Sequence, residues 1–531
     1  MAGEHDVNTT VTVLVVGAGP TGLLLAAELH RRGVECLLVD AHDRPMEWDR
    51  ATVVHPRSLE IFESLGIVEP LLAAGVKQRR ARVHAGGQVL GEIDLDLCGS
   101  RYTFNIGISE EVTERILTDY LARQGGSVVR ATTLVALAEQ EDGILATIKH
   151  DGVVSEILAD WVVGCDGHRS AVRRFTGIEQ DGHDIEEPWA VFDASVYDWR
   201  DSYEANYAYL DEIPVILTAL PGGRWRVYLR PSSPESDLVA DALQTLRRYL
   251  PRASFEGVAT PTRFQCHTKV ARHFRAGRIL LAGDAAHTCS PAQGHGMNSG
   301  LQDAFNLAWK LALVCQEHCP ETLLDSYQAE RRPVADTVMA SGDAAEGAQM
   351  VRGSEERRTR DDAIRTAFAD PTSRHHEAVA EAELDIDYSG SPIVTGDRGE
   401  ATWPGQRLPD RIEVQLPAGG SDVLRNFIYR RGHTAFLIGG ASTSQKALQE
   451  VLLSLNPPSG RVLLEATVAL AANADVADVE GYLEPAVAEK LGVGDITLLV
   501  VRPDGHVGLR ADGNHAQMLA GYIDLLRASR A

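Results

Sequence analysis

Residues 11–22 read Val-Thr-Val-Leu-Val-Val-Gly-Ala-Gly-Pro-Thr-Gly, and residues 35–40 read Glu-Cys-Leu-Leu-Val-Asp. The apolar run Val11–Val16 is the pattern of a strand buried on both faces in a parallel sheet. Gly17, Gly19 and Gly22 follow at GxGxxG spacing and open a helix expected over Thr21–Arg32, which Gly33 ends. Glu35–Asp40 is the next strand, so the segment is a βαβ unit. Each glycine has a task in a dinucleotide site. Gly17 makes the tight turn, Gly19 lets a pyrophosphate approach the backbone, and Gly22 lets helix and strand pack closely. The helix start offers unpaired N–H groups to phosphate, with Pro20 and Thr21 in the turn. Asp40, with Ala41 beside it, is placed to accept hydrogen bonds from a ribose diol. This motif alone fits NAD or FAD equally.

The chain around it has 531 residues, 44 % apolar and 24 % charged, with a formal net charge of −24. That length suggests about three structural units. The acidic balance argues against nucleic-acid and anionic-membrane partners, both of which need a basic patch. No basic region precedes the first strand, and no apolar run is long enough to span a bilayer, so neither a signal peptide nor a membrane helix is expected. Seven widely spaced cysteines without a CxxC read as reduced thiols of a cytoplasmic protein. Cys315 and Cys319 could share a helix face, but no second ligand pair follows, and no metal site is expected.

Two further signatures separate the cofactors. Cys165-Asp166-Gly167-His168-Arg169-Ser170-Ala171-Val172-Arg173 places DGxxSxxR after the buried run Trp161–Cys165. Gly277–His287 (GRILLAGDAAH) continues to Ser290-Pro291-Ala292-Gln293-Gly294-His295-Gly296-Met297-Asn298. With these three motifs in this order, residues 11–340 resemble the class A flavoprotein monooxygenases, the group that contains p-hydroxybenzoate hydroxylase and the phenol and polyketide hydroxylases. Two departures stand out. Gln293-Gly294-His295 replaces the start of the commoner GGQG, and Glu110 stands where many relatives have Gln.

The resemblance implies FAD as cofactor, NADPH or NADH as a transient co-substrate, and O2. It assigns the ribityl contact to Asp284 (with Gly283), the neighbourhood of the flavin ring to Pro291 and Gly294, and its pyrimidine edge to the N–H groups of Gly296, Met297 and Asn298. Arg50, Ala51, Glu110 and Arg115 or its neighbours would line the FAD groove, and Asp166 and Gly167 the pyrophosphate region. It implies a flavin C4a-hydroperoxide that hydroxylates a small phenolic or polycyclic aromatic substrate. Candidates for catalytic side chains are Arg226, Tyr228 and His295, with His55 behind them; each has a packing role as its alternative. A Baeyer–Villiger or epoxidising outcome on the same scaffold stays open, as does a flavin-binding reductase or regulatory module. A homodimer is an assembly the sequence leaves open.

The fold expectation is α/β: a Rossmann-like FAD-binding domain, an inserted mostly antiparallel β-sheet substrate domain, and a C-terminal thioredoxin-like α/β domain. The segments are 1–76, 103–180 and 266–345 for FAD, and 77–102 and 181–265 for the substrate sheet. Residues 346–404 form a helical connector whose charged stretch Ser354–Glu383 reads as solvated. Residues 405–531, entered through Trp403–Pro409 (WPGQRLP), resemble the thioredoxin-like tail of larger family members.

Overall fold

The computed structural model describes residues 9–45, 51–199, 204–399, 402–409, 411–428, 431–455 and 463–528. Residues 1–27, 36–304 and 334–385 form one compact unit, and residues 28–35, 305–333 and 386–531 a second.

In the first unit the strand Thr9–Val16 lies at the centre of a parallel sheet. It pairs with Cys36–Val39 on one side and Val153–Gly164 on the other, with Val13 opposite both Cys36 and Trp161. Val128–Val129 and Ile279–Leu281 extend the sheet in parallel register. Thus the three sequence motifs leave the sheet from strands whose ends are neighbours. Val13, Leu14 and Val15 are fully buried, as a strand covered on both faces requires. A hairpin, Thr132–Gln140 and Gly143–His150, adds antiparallel strands beyond Val153–Gly164.

A second sheet has seven strands, from Ser254–Phe264 through Trp189–Tyr197, Arg224–Leu229, Val215–Leu220, Ala205–Tyr209 and Arg80–Ala85 to Gln88–Asp94. All its pairings are antiparallel except Ala205–Tyr209 with Arg80–Ala85. The two-residue period of a strand divides its side chains. Trp225, Val227 and Leu229 join a core with the helix Leu238–Leu246. Tyr228, between them in sequence, points the other way and packs with Trp189, Val191 and Phe264, against which Ala292 of the third motif is seated.

The helices Ser354–Ala369 and Pro371–Glu381 correct the reading of Ser354–Glu383 as a merely solvated stretch. Their charged faces are solvated, but Ala378 and Ala382 are buried with Leu95 and Cys98, and Phe368 presses so closely on Gly91 that a β-carbon there would sit 2.2 Å from its ring.

The second unit holds an eight-stranded mixed sheet whose middle runs Val507–Ala511, Ile496–Val501, His433–Gly439, Leu464–Ala471. Its fully buried Leu437, Leu498, Val500 and Leu509 pack with Trp309. The unit also buries charge. Glu330 accepts both Arg502 Nη1 (2.7 Å) and Nη2 (2.8 Å) and the Lys310 ammonium (2.7 Å), and all three side chains are fully buried. Among the described residues no helix is long and apolar enough to cross a membrane.

Candidate active site

At the first glycine turn the steric reasons for glycine can be read atom by atom. Gly17 has φ +100°, and a β-carbon there would lie 2.3 Å from the Cys165 carbonyl oxygen. At Gly22 one would lie 1.9 Å from the Gly17 carbonyl oxygen. At Gly19, by contrast, the nearest atom is Glu114 Oε1 at 3.9 Å. Two glycines therefore pack backbone on backbone, and the third keeps an approach open, which is what a pyrophosphate needs. Asp40 ties the turn to the second strand: its Oδ2 accepts from the Ala18 N–H (2.7 Å) and its Oδ1 from the His42 N–H (2.8 Å).

A cavity of about 640 Å³ runs from this turn. Gly19, Pro20 and Thr21 line it together with Ala51, Glu110, Gly167 and Asp284 and with Pro291, Gly294, Gly296 and Met297. Ile216, Thr218, Tyr228 and Phe264 of the seven-stranded sheet also line it, as does Cys266 just beyond that sheet's last strand. Eleven residues expected around FAD thus share one cavity. Gly17, Gly22, Asp40, Ala41, Arg115, Asp166, Gly283 and Asn298 do not line it, and Arg50 lies outside the described residues. Several of these have an evident supporting task. Asp166 Oδ2 accepts from the Ala171 and Val172 N–H groups (2.6 and 3.1 Å), capping the helix Ala171–Thr176. Arg115 is exposed, whereas its neighbours Glu111 and Glu114 line the cavity. Glu110 Oε2 accepts from the Ala51 N–H at 3.3 Å.

The third motif is held from below by groups that sequence patterning does not single out. Asp303 is fully buried on the helix His295–Cys315; its Oδ2 accepts from the Gly283 N–H (3.0 Å) and meets His287 Nε2 (2.6 Å). Arg173 donates to the carbonyls of Ala285 (2.8 Å) and His168 (2.7 Å), clamping the second motif to the third. Trp189 Nε1 donates to Glu346 Oε1 (2.9 Å), which also receives the Ser290 hydroxyl, one residue before Pro291. Burial, then the nearby Asp284 and Glu383, pushes the Cys289 thiol up, so it stays protonated and is no nucleophile.

The turn into the helix His295–Cys315 is the most constrained part. Gly294 is left-handed, with φ +73°. Asn298 Nδ2 donates to the carbonyls of Gly294 and Val53 (both 2.9 Å), and its Oδ1 accepts from the His55 N–H (2.9 Å). Asn298 thus positions the loop from behind.

Of the catalytic candidates, only Tyr228 reaches the cavity, with its hydroxyl 3.3 Å from Thr52 Oγ1. Arg226 is turned away, donating to both Asp193 oxygens (2.8 and 3.0 Å). His295 is buried and faces Glu383 (2.8 Å), not the cavity. His55, His295 and Glu383 each offer an atom that could ligate a metal, all within 4.8 Å of one another. Sequence reading missed Glu377, Glu381, Ile364 and Phe368, which the charged helices bring to the cavity. Their only signal is the apolar spacing of Ile364 and Phe368, four residues apart in an otherwise polar stretch.

Comparison with known proteins fits this geometry. The family model described as "FAD binding domain" matches residues 10–341, and the chain belongs to that family. It is 36 % identical over 342 residues to 6-methylpretetramide 4-monooxygenase of Streptomyces rimosus and 34 % identical over 339 residues to pentachlorophenol 4-monooxygenase of Sphingobium chlorophenolicum. Each match covers 62 % of this chain but only 60 % and 63 % of those relatives' lengths. The fold as a whole matches the anhydrotetracycline hydroxylase OxyS of Streptomyces rimosus, with a TM-score of 0.77 over 98 % of this chain and 100 % of that one, at 24 % identity.

Proposed function

We propose that this chain is an NAD(P)H-dependent FAD monooxygenase that hydroxylates a phenolic or polycyclic aromatic substrate. The observation that carries the reading is the single cavity joining the open approach at Gly19 to the Pro291–Met297 loop and to the apolar wall of Ile216, Tyr228 and Phe264. The adenine dinucleotide part belongs at Gly17–Gly22 and Asp40, the ribityl part at Asp284, and the ring at Pro291, Gly294, Gly296 and Met297. When bound, FAD supplies the electron transfer from NAD(P)H and the activation of O2 for insertion into the substrate.

The protein's own residues do the rest. The start of the helix His295–Cys315 presents N–H groups and a partial positive charge to whatever anionic group occupies the loop. Ile216, Phe264 and Ala292 give the substrate an apolar bed that displaces water, which protects a reactive oxygen species from wasteful loss. The Tyr228 hydroxyl, held by Thr52, orients a phenolic oxygen, and Glu381, one of several carboxylates that line the cavity, accepts its proton. The named relatives are monooxygenases of 6-methylpretetramide and of pentachlorophenol, the second a phenol of the kind this reading favours.

In the second unit the succession of His433–Gly439, Gln445–Ser454, Leu464–Ala471, Ile496–Val501, Val507–Ala511 and His515–Arg527 supports a thioredoxin-like module. It has no CxxC, so it carries no dithiol chemistry.

The test is NAD(P)H oxidation by the FAD-loaded protein with a panel of phenols under 18O2. A ring hydroxyl carrying the label is expected. A labelled lactone or ester would replace hydroxylation by a Baeyer–Villiger reaction, and flavin without substrate-stimulated NAD(P)H use would remove the oxygenase reading.

A further inference from the structure

Strand register lays a continuous row of side chains along the cavity wall formed by the seven-stranded sheet. Tyr228 stands opposite Ile216, Ile216 opposite Ala208, Ala208 opposite Val83, and Val83 opposite Gly91 on the edge strand Gln88–Asp94. Residues directly opposite one another share a face of the sheet. Tyr228, Ile216, Ala208 and Val83 all line the cavity. Asn206, Ala81 and Ile93 form a second row beside them, also in the cavity. Leu217 and Val227, one position along their strands, belong to the core on the other face, as the two-residue period requires.

The first row has two different ends. At one, the Tyr228 hydroxyl lies 3.3 Å from Thr52 Oγ1, and Ala292 of the third motif packs on the cluster that holds Tyr228. At the other, Phe368 stands where Gly91 has no side chain. A β-carbon at Gly91 would lie 2.2 Å from Phe368 Cδ2 and 2.9 Å from its Cβ. That β-carbon would share the face of Val83, so the Phe368 ring stands on the cavity side of the edge strand. Phe368 and Ile364 sit four residues apart on one face of the helix Ser354–Ala369, and both line the cavity. The helix is fixed in place. Ile364 packs on Ala85, Leu90 and Leu210, and Arg360 donates to the carbonyls of Leu210 (2.8 Å) and Ala348 (2.9 Å).

We propose that Phe368, seated on Gly91, is the end wall of the substrate slot and sets how long a fused aromatic skeleton this protein accepts. The inference rests on the reading of this cavity as the site of an aromatic substrate. From Tyr228 to Gly91 the row crosses strands spaced about 4.8 Å apart, about 19 Å in all. A single ring held at Tyr228 covers about one such spacing and leaves Ala208, Val83 and Phe368 against water, which forfeits their apolar burial. After contact distance at each end, about two to three spacings remain, the length of about three or four linearly fused rings. Ala208, Ala81 and Val83 are small, so the floor between the ends is low enough for a planar slab. Gly91 is part of the same device: its missing side chain lets Phe368 stand back. A methyl group there drives the ring into the slot, whereas removing the ring lengthens it.

The test is equilibrium binding of a ring series (phenol, a naphthol, an anthrol and a linear four-ring phenol) to the FAD-loaded protein, read by flavin absorbance, with 18O2 product analysis alongside. Wild type should bind the anthrol at least about tenfold more tightly than phenol, the low end of what one added methylene brings in an apolar pocket. Phe368→Ala should shift the preference between the four-ring phenol and the anthrol about tenfold towards the longer, and Gly91→Ala about tenfold towards the shorter, with FAD content per chain unchanged in both. Opposite shifts are what general loosening of the fold does not produce. Phe368→Leu should shift the preference in the direction of Phe368→Ala by less, and it decides the matter if the alanine variant does not fold. Variants that keep the wild-type preference or shift it in the same direction, or a wild type that binds phenol as tightly as the anthrol, would overturn the end wall and leave the hydroxylase reading standing. A preference that follows the variants without any labelled ring hydroxyl would support the end wall and remove the hydroxylase reading. FAD-loaded wild type that bound none of the series would overturn both.

Discussion

Asp303 offers the sharpest mutational test of how the third motif and the proposed flavin site are supported. Its carboxylate is fully buried and serves two elements at once, the Gly283 N–H in the third motif and the His287 ring. Asp303→Ala leaves both partners buried and unsatisfied. Removing one member of such a pair costs about 3–5 kcal/mol. Asp303→Asn keeps an oxygen for Gly283 but loses the charge, at about 1–3 kcal/mol. At roughly 2–4 °C per kcal/mol for a domain of moderate size, the alanine variant should melt about 6–20 °C lower and the asparagine variant about 2–12 °C lower. The loss should also reach the cofactor. Gly283 precedes Asp284 in the cavity, and about 1.4 kcal/mol of displacement there weakens FAD binding tenfold. Thermal melting by circular dichroism and FAD titration by fluorescence quenching read both effects. An alanine variant that melts with wild type and binds FAD equally well would refute the claim that Asp303 organises the loop.

Other perturbations follow from the same contacts. Gly22→Ala drives a β-carbon to 1.9 Å from the Gly17 carbonyl oxygen, so it should cost about 1–3 kcal/mol and lower FAD content measured by absorbance per chain. Tyr228→Phe should leave FAD content unchanged while raising the KM for substrate up to about tenfold, as loss of one orienting hydrogen bond implies. In the second unit, burial first and foremost pushes Lys310 down to about 8 from 10.5, despite Glu330. The unfolded chain then binds more protons between those values, so stability should rise as pH goes from about 8 to 10.5, and Lys310→Met should abolish the rise in urea-unfolding midpoints. Burial opposes the charge on Glu330, but Arg502 and Lys310 hold it down at about 2, so its stabilising charge is complete above pH 4.5 and lost as pH falls towards 2, which Glu330→Gln should remove.

The parts of this molecule legible in its sequence are those where one local rule dominates. The buried strand into Gly17-Ala18-Gly19 fixes both a turn and a sheet position, because Gly17 and Gly22 have no room for a β-carbon. Alternation in Arg224–Arg230 announces a strand and allows Tyr228 to face opposite to Trp225 and Val227. What local pattern does not carry is partnership across the chain. Arg226 beside Tyr228 looks equally available, yet Asp193 on the adjacent strand captures it. His295 looks like a cavity residue until Glu383, 88 positions later, turns it inward. The charged run Ser354–Glu383 looks solvated because most of it is, while Ile364, Phe368 and Glu381 reach the cavity from its other side. Asp303 and Glu330 sit on helices where a carboxylate normally faces water, and only the tertiary fold supplies the buried donors that keep them there.

The most direct measurement of the central claim is cofactor stoichiometry. Protein purified gently and reconstituted with FAD, then denatured to release and quantify the flavin, should yield one FAD per chain, with Gly22→Ala yielding markedly less. A wild-type chain that stays colourless and retains no flavin after reconstitution would contradict the account at its root.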